Sequence, residues 1–400
     1  MTLDTYWHLL PAPYTTPPLA HWASHNTTQV WQEYPRIHYL SSNRVTTTGN
    51  DVVCDDPAYF PGSSTIGGNP VRTIDLTTHA DALGKDPNLA SPSIPVGAMH
   101  MGNAVLMHTL KPDVEWPTTW PLGSGFAAAN YDLDRVITYG GVSLQPPDNN
   151  IGMNVTAELG ASGANPASWT WKLKENCPTG SVFGSLVVLP DGSLLRVGGQ
   201  NWVYTPDTLP PGESITYRST TERFFPKQPT ETGVWKNLAL RSTVSVIERG
   251  YHSVAGLLKS GAVFLCGGRQ DPAVLLTDPE DTAEVYKPPY FFQGTRPSLG
   301  ANQNTIHYGE PFCVFTRNPE QITHASLIGL CSTTHHFDYG QRYVELLVTH
   351  EVAGLSCGEN QNLAILPPPQ ATMAPTNYYL LFLVDNKGRP SNGVFVQLSH

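Results

Sequence analysis

"LVVLPDGSLLRVGG", residues 186–199, is the clearest copy of a pattern that recurs along this 400-residue chain. An apolar strand is followed by a polar turn, a second apolar strand and a small-residue ending. The pattern returns in "AGLLKSGAVFLCGG" at 255–268 and, more weakly, in "IHYLSSNRVTTTGN" at 37–50 and "NYDLDRVITYGG" at 130–141. Asp-Gly, Ser-Gly and Ser-Asn pairs are typical of hairpin turns, and closing glycines permit a positive φ where a strand leaves its sheet. The pattern therefore predicts a chain of β-hairpins.

The spacing of these hairpins indicates how they are arranged. The glycines that close them at 141, 199 and 268 are 58 and 69 residues apart, and the interval from 49 to 141 is 92 residues. Four-stranded blades of kelch-type β-propellers repeat at roughly 50 residues, and insertions lengthen that interval. We therefore expect an all-β fold in which residues 1–290 form kelch-type propeller blades.

The rhythm changes near residue 290, after which no further hairpin ends in two glycines. The remaining segment consists of short apolar stretches, such as "HASLIGL", "RYVELLVT" and "NLAILPPP", separated by Asn, Asp, Gly and Pro turns. Strands of this length and spacing are typical of a β-sandwich of about 100 residues. We expect residues 291–400 to form such a sandwich as a separate domain.

Composition excludes several classes of partner. Charged residues make up 14% of the chain, and the formal net charge is −10, without a block of basic residues. Nucleic acid and anionic membrane surfaces are therefore unexpected partners. The chain contains no apolar run long enough to cross a bilayer, and its N-terminal segment has neither a basic leader nor an apolar core, so no signal peptide is visible.

The six cysteines lie far apart and form no Cys-x-x-Cys pair. That spacing fits disulfides or buried thiols better than a zinc site. Cys313, Cys331 and Cys357 all lie in the last hundred residues. We expect one disulfide among these three.

Candidate metal ligands concentrate at two places. Tyr251 and His252 are adjacent at the start of the 255–268 hairpin, and His335 and His336 are adjacent in "STTHHFDYGQR". Imidazole suits copper, zinc or iron, and a phenolate oxygen favours Cu(II) or Fe(III). Neighbouring residues of a flat strand point to opposite faces, so Tyr251 and His252 share a site only where the chain bends. Taken alone, such a pair is more often a packed tyrosine beside a surface histidine.

Three motifs resemble the copper radical oxidases, the family of galactose oxidase and glyoxal oxidase. They are "RGYHSVAGLLKSGAVFLCGG", "HASLIGLCSTTHHFDYGQR" and "NYYLLFLVDNKGRPS", and the chain resembles the C-terminal two-thirds of the family. The resemblance implies a propeller, seven-bladed in the family, followed by an immunoglobulin-like sandwich that sends one loop to the propeller axis. It implies a copper ion bound by Tyr251, His252 and His335, the histidine that follows the Thr pair. Tyr251 would also accept the substrate hydroxyl proton.

Weaker matches to the same family imply residues that contact the substrate. "YPRIHYLSSNRV" suggests Arg36, "YGGVSLQ" suggests Gln145, and "SVFGSLVVLPDG" suggests Phe183 as an aromatic wall. Each has a plain structural alternative: an arginine on a blade rim would pack its stem on apolar surface, and a phenylalanine is ordinarily a core residue.

One feature of the family is not found. Its redox cofactor is a tyrosyl radical on a Tyr crosslinked to a Cys of a neighbouring blade. The first thirty residues contain no R-x-Y-x-S hairpin, and Cys54, the only early cysteine, lies in the wrong blade. About four to five blades can be counted, fewer than the family's seven. The chain is then a fragment of a larger oxidase, a shortened relative, or a protein whose missing blades come from another chain.

The resemblance implies an extracellular, copper-dependent oxidoreductase that oxidises alcohols, aldehydes or carbohydrates with O2 and releases H2O2. Lack of the radical pair would impair that activity. The main alternative is a non-catalytic relative or fragment that binds copper or carbohydrate. A kelch propeller that binds proteins is a more distant alternative, because it leaves the "TTHH" loop unexplained.

Overall fold

The structure is a computed structural model that describes residues 6–9, 23–26, 36–48, 72–76, 81–82, 102–119, 122, 124–141, 152–163, 168–201, 216–226, 232–240, 247, 249–268, 282–300, 304–352, 355, 357–358 and 360–400. Strands dominate this part of the chain, which contains twenty-seven of them, β1 to β27, beside one α-helix of seven residues. The chain is therefore all-β, as the hairpin pattern predicts. No helix among the described residues is long and apolar enough to cross a membrane.

The first strands form two antiparallel groups. Strands β1 (Tyr6–Leu9) and β2 (Ala23–Asn26) pair with each other. Strands β3 (Arg36–Leu40), β4 (Arg44–Thr48), β5 (Arg72–Asp75) and β6 (Asp81–Ala82) form a four-stranded sheet in sequence order. Its β3–β4 hairpin lies where "IHYLSSNRV" predicts one, and Asn43 adopts the left-handed backbone of its turn with φ 58°.

Three further groups follow the same up-and-down order. Strands β7 (Asn103–Leu110), β8 (Tyr131–Tyr139), β9 (Thr156–Gly160) and β10 (Thr170–Leu173) pair in sequence, with helix α1 (Ser124–Asn130) between β7 and β8. The next sheet contains β11 (Ser185–Val188), β12 (Leu194–Val197), β13 (Thr220–Phe225) and β14 (Val234–Leu240). The last contains β15 (Ser253–Leu257), β16 (Val263–Gly267) and β17 (Ala283–Tyr286). We call these three groups and the β3–β6 sheet the four meanders.

The two clearest predicted hairpins are present as β11–β12 and β15–β16. Both turns contain a glycine with positive φ, Gly192 at 77° and Gly261 at 84°, which a residue with a Cβ adopts only at a cost. The apolar residues of β11 and β12 are buried, as expected for short continuous apolar runs bounded by turn residues.

The chain after residue 304 forms a two-layer arrangement. Its strands are β18 (Thr305–His307), β19 (Phe312–Val314), β20 (Ile322–Gly329), β21 (Thr333–Thr334), β22 (Phe337–Asp338), β23 (Arg342–Leu346), β24 (Val348–Thr349), β25 (Leu363–Ile365), β26 (Asn377–Asp385) and β27 (Val394–Ser399). Strands β23, β20, β26, β27 and β18 lie side by side, and β19, β25 and β24 form a second sheet. Leu327 and Leu381 of the first layer share one buried core with Val314 and Ile365 of the second.

The two parts of the chain share a sheet. Strand β7 pairs in parallel with β23, with Leu106 opposite Arg342 and His108 opposite Val344, so that the β7–β10 meander and the first C-terminal layer form nine continuous strands. All eight residues of β7 are buried, as expected for a strand with a neighbour on both edges and covered faces. This sheet crosses the boundary expected at residue 290, and the division into two domains there stays a prediction.

Cys313 and Cys357 form a disulfide with their Cα atoms 5.4 Å apart, which confirms the expectation of one bridge among the three late cysteines. Cys331, the third, is free. The kelch-type propeller and the immunoglobulin-like class of the C-terminal layers stay predictions. What the described residues establish is four antiparallel meanders followed by two packed β-layers.

Candidate metal centre

Tyr251 and His252 lie in a tight turn directly before β15. The backbone N–H of Ser253 donates to the Gly250 carbonyl at 3.1 Å, and His252 has a φ of 65°. This left-handed residue abolishes the alternation of a strand, and the two rings stack with centroids 3.8 Å apart. The bend that the sequence requires for a shared site is therefore present, but in a turn rather than inside a strand.

The second pair of histidines forms the tip of a short hairpin. Strands β21 and β22 pair Thr333 with Asp338 and Thr334 with Phe337. His335 and His336 are the turn between them, with φ values of 51° and 61°. We call residues 332–338 the histidine hairpin.

The three predicted copper ligands come together in space. The ring of His335 lies 4.6 Å from that of His252 and 5.9 Å from that of Tyr251, measured between centroids. His335 and Tyr251 are half-buried and His252 is exposed. Two distant segments thus bring two imidazoles and one phenol together, with the His252 side chain exposed to solvent.

Phe183 forms a further side of this cluster. Its ring lies 5.1 Å from the ring of Tyr251 and 5.4 Å from that of His336. The residue is buried and has a φ of 59°. Its position beside Tyr251 is compatible with the aromatic wall expected from the sequence.

The other two residues predicted to contact the substrate are Arg36 and Gln145. Arg36 begins β3 and is only 3% exposed; its guanidinium donates to the Gly102 carbonyl and contacts His336. It lies beside the histidine hairpin but is enclosed by protein. Gln145 lies outside the described residues.

Backbone strain concentrates at this cluster. Seven non-glycine residues in the described part of the chain have positive φ, and four of them are Phe183, His252, His335 and His336. The left-handed region is unfavourable for residues with a Cβ, and residues held there collect at functional sites. The strain is an independent indication that this cluster is a functional site.

The histidine hairpin is closed by a buried carboxylate. Asp338 Oδ1 accepts hydrogen bonds from the backbone N–H groups of Ser332 at 2.8 Å and Gly340 at 2.9 Å. Burial raises the pKa of Asp338 above its ordinary value, and these two hydrogen bonds oppose that rise. The carboxylate therefore acts as a hydrogen-bond acceptor for backbone N–H groups at the base of the hairpin.

A free thiol lies close to the hairpin. Cys331 Sγ packs on Gly256, where a Cβ would collide with it, and contacts the Thr333 hydroxyl at 2.7 Å. Burial of the sulfur raises the pKa of Cys331 to about 11. The thiol is therefore protonated at neutral pH.

Several polar contacts that the sequence does not reveal hold the hairpin in place. Asn103 Nδ2 donates to the carbonyl of His336 at 2.7 Å and to that of Gly184 at 3.2 Å. The His336 N–H donates to the Ser253 carbonyl at 3.0 Å. A buried Asn at the start of the apolar strand "NAVLMHTL" is a visible signal that a polar partner exists, but its partner lies more than two hundred residues away.

The donor set is two nitrogens and one oxygen. In the part of the chain that the structure describes, no group of three or more His, Cys, Asp and Glu side chains is arranged to hold a metal ion. The cluster of Tyr251, His252 and His335 contains two histidines and a tyrosine, so it is a site of another composition. Imidazole with phenolate is a donor set suited to an oxidised metal such as Cu(II).

Comparison with known proteins places the C-terminal part of this cluster in a family. Residues 296–398 match the model of the galactose oxidase-like early set domain. These residues are therefore similar to a galactose oxidase-like early set domain. This confirms the resemblance that the sequence motifs carry. The histidine hairpin, with its candidate ligand His335, lies within the matched residues, whereas Tyr251 and His252 precede them.

Curated relatives extend the similarity beyond that domain. The chain is 28% identical over 239 residues to an aldehyde oxidase, GLOX, of Vitis pseudoreticulata, across 57% of this chain and 43% of the relative. It is 28% identical over 260 residues to aldehyde oxidase GLOX1 of Arabidopsis thaliana, across 60% of this chain and 39% of the relative. A galactose oxidase of Gibberella zeae is 27% identical over 278 residues, across 66% and 36%. The matches thus span about two fifths of the length of these relatives.

A solved structure supports the fold. A fungal alcohol oxidase of the AA5 family, determined in complex with copper, superposes with a TM-score of 0.60 at 17% sequence identity and covers 95% of this chain and 78% of its own. At that identity, the likeness concerns the fold alone.

Proposed function

We propose that Tyr251, His252 and His335 bind one copper ion. The observation that carries this proposal is the convergence of three rings from two distant segments, with centroids 3.8 to 5.9 Å apart. Two of these residues and two of their neighbours adopt unfavourable left-handed backbones, which the fold would retain only where the geometry is needed.

The chemistry of the residues fits copper. Thr334 Oγ1 and His335 Nδ1 are 2.7 Å apart. If Nδ1–H donates to this hydroxyl, the Nε2 lone pair of His335 is available to a metal, the usual arrangement of a ligating histidine. Copper bound there would accept one electron at a time and polarise a coordinated hydroxyl group.

We further propose that the intact protein oxidises alcohols or aldehydes with O2. An alcohol would lose two electrons and two protons to become an aldehyde, and O2 would take up both to become H2O2; an aldehyde would react as its hydrate. Tyr251 Oη would accept the substrate hydroxyl proton, since it belongs to the same cluster. Phe183 would border the substrate, and Gln145 is proposed to do so from outside the described residues.

The proposal of an oxidase also includes a fold and a cellular location. The four meanders are proposed to be blades of a kelch-type propeller, and residues 291–400 an immunoglobulin-like sandwich. We propose an extracellular location, which the Cys313–Cys357 disulfide supports, because disulfides persist mainly in oxidising compartments.

The test is copper binding by the full chain. We expect about one Cu(II) per chain by metal analysis, with nitrogen couplings in the EPR spectrum. His335→Ala should abolish specific uptake, whereas His350→Ala, which removes an exposed histidine of the same domain, should not. Equal uptake by the His335→Ala variant would contradict the proposed ligand set.

Measuring peroxide release then distinguishes a catalytic oxidase from a protein that only binds copper. The copper-loaded chain is assayed with a panel of primary alcohols, aldehydes and sugars, and H2O2 is measured with a coupled peroxidase. Oxidation that disappears in the His335→Ala variant supports the oxidase. Stoichiometric copper without peroxide would instead identify a non-catalytic copper-binding relative.

A further inference from the structure

We propose that Arg36 is a positioning residue that orients the ligand His335 through a hydrogen bond to its neighbour His336. The inference rests on the proposed copper site, and it assigns different tasks to the two adjacent histidines. His335 would bind the metal, and His336 would anchor the hairpin that carries it.

The first step is the contact between Arg36 and His336. Arg36 Nη2 lies 2.8 Å from His336 Nε2, and Arg36 is 3% exposed while His336 is 1% exposed. A guanidinium has only donors, so Nε2 must be the acceptor and carries no proton. The contact therefore fixes the tautomer and the ring orientation of His336.

The second step is the anchoring of Arg36 itself. Its Nε and Nη2 atoms both donate to the Gly102 carbonyl, at 3.0 and 2.7 Å, and the guanidinium carbon lies 5.5 Å from the centre of the Phe337 ring. Two bonds to one fixed carbonyl and an aromatic face leave the planar group little rotational freedom. Arg36 is thus a rigid donor from β3 against which the hairpin is set.

The third step is the transmission to His335. The backbone N–H and carbonyl of His336 are bonded to Ser253 and Asn103, at 3.0 and 2.7 Å. With its side chain held by Arg36, residue 336 is fixed at three points, and His335 is one peptide away. Both residues have left-handed backbones, so loss of an anchor would allow the turn to relax to a more favourable conformation and move the His335 ring.

This assignment differs from the substrate contact that the family resemblance implies for Arg36. A side chain that is 3% exposed and has two of its nitrogens bonded to protein atoms is poorly placed to meet a substrate from solvent. The histidine that follows the ligand histidine accepts the hydrogen bond that this arginine donates. Arg36 therefore contributes to the metal site without touching the metal or the substrate.

The experiment compares matched variants of the full chain. His336→Gln keeps an acceptor at the reach of Nε2, whereas His336→Leu removes it, and both place a side chain with a Cβ at the same left-handed position. Arg36→Met removes the donors with similar side-chain length. Thermal unfolding of the metal-free proteins shows whether each variant folds.

We expect His336→Leu and Arg36→Met each to weaken Cu(II) affinity by about 10- to 100-fold, the usual effect of losing an outer partner of a metal site. Both should also change the EPR parameters of the bound ion. His336→Gln should stay within about threefold of the parent chain, since the hydrogen bond is retained. The double variant should be no weaker than either single one, because the two residues act as a unit.

The outcomes distinguish the two proposals. If the parent chain binds no copper, the proposed function fails and this inference fails with it. If the parent binds copper but folded Arg36→Met and His336→Leu variants bind it with unchanged affinity and spectrum, the site stands and the positioning role is wrong. Arg36→Met that raises KM for substrate without changing copper affinity or EPR would favour the substrate contact instead.

Discussion

The four meanders and the two-layer C-terminal region both contain buried apolar cores, but they differ in how many arginine–carboxylate pairs accompany those cores. Each meander contains an arginine–carboxylate pair between its strands or at their ends: Arg44–Asp75, Arg135–Glu158, Arg196–Glu222 and Arg249–Glu284, at 2.6 to 3.0 Å. In the described part of the C-terminal region, one such pair joins Asp385, the last residue of β26, to Arg389 in the β26–β27 connection. The two C-terminal layers are joined by a continuous apolar core.

The difference reflects how each part is specified. Two sheets that face each other across an apolar core are kept in register by burial, since a one-residue slip would expose every core side chain. In the meanders, a buried ion pair contributes little net stability but penalises any pairing that separates its charges. We take the registry role as a hypothesis for these pairs.

The largest effect is expected from breaking one such pair in the interior. Arg196 and Glu222 are both fully buried, with Arg196 Nη2 2.7 Å from Glu222 Oε2. Glu222→Leu leaves the Arg196 charge uncompensated and should lower the free energy of unfolding by about 3–5 kcal/mol, measured by urea denaturation. The double variant Arg196→Met/Glu222→Leu should recover most of that loss. A double variant as unstable as the single one would show that the pair is not replaceable and would weaken the contrast with the C-terminal core.

A core truncation in the C-terminal region should have a comparable but somewhat smaller effect and no compensating partner. Leu381 of β26 is fully buried between the two layers. Leu381→Ala removes apolar contacts and leaves a cavity, so the free energy of unfolding should fall by about 2–5 kcal/mol. Tyr378→Ala, at a position 53% exposed on the same strand, should change it by less than about 0.5 kcal/mol. A small loss for Leu381→Ala would mean that the layers are not held by this core.

The effect that is smallest near neutral pH concerns acid stability and belongs to the meanders. Burial, with Arg342 and Arg36 nearby, lowers the pKa of His38 on β3 from 6.5 to about 3. The unfolded chain binds a proton at this residue below pH 6.5 and the folded chain does not, so stability is lost as the pH falls from 6.5 towards 3. The loss is at most about 1.4 kcal/mol per pH unit. His38→Gln should flatten this slope in urea titrations.

Two further groups, both in the β7–β10 meander, also make the stability of the protein depend on pH. Burial lowers the pKa of His108 well below its ordinary value, which adds to the loss in acid. Burial raises the pKa of Asp134 from 3.8 to about 6, so the folded chain holds a proton that the unfolded chain lacks between these values. Asp134 therefore raises the free energy of unfolding as the pH falls from 6 towards 4, which partly offsets the loss caused by the histidines. The comparison between parent and His38→Gln cancels both contributions.

The hairpins were predictable because their information is local. In 186–199 and 255–268, the two short apolar runs and the Asp-Gly or Ser-Gly turn between them lie within fourteen residues. They specify β11–β12 and β15–β16 without reference to the rest of the chain. The β7–β23 pairing was not predictable. Both strands, "NAVLMHTL" and "RYVEL", are apolar and could pair with several others. Neither sequence indicates which strand it pairs with.

The candidate site divides in the same way. Tyr251, His252 and His335 stand in recognisable motifs, and the resemblance identifies them. The anchoring contacts of Arg36, Asn103 and His336 depend on residues that only the fold brings together. The left-handed backbone of His252 was also not predictable, because β15 begins at the next residue and its sequence does not indicate where the regular strand geometry ends.

The parallel pairing of β7 with β23 has a consequence for synthesis on the ribosome. Residues 103–110 emerge long before residues 342–346, with which they pair. At ordinary rates of translation, the interval is on the order of ten seconds or more. During that time, one edge of a strand with no polar face has no partner from its own chain, which makes it a template for association between nascent chains. Chaperone demand in the cell should therefore be highest while the middle of this chain is being made.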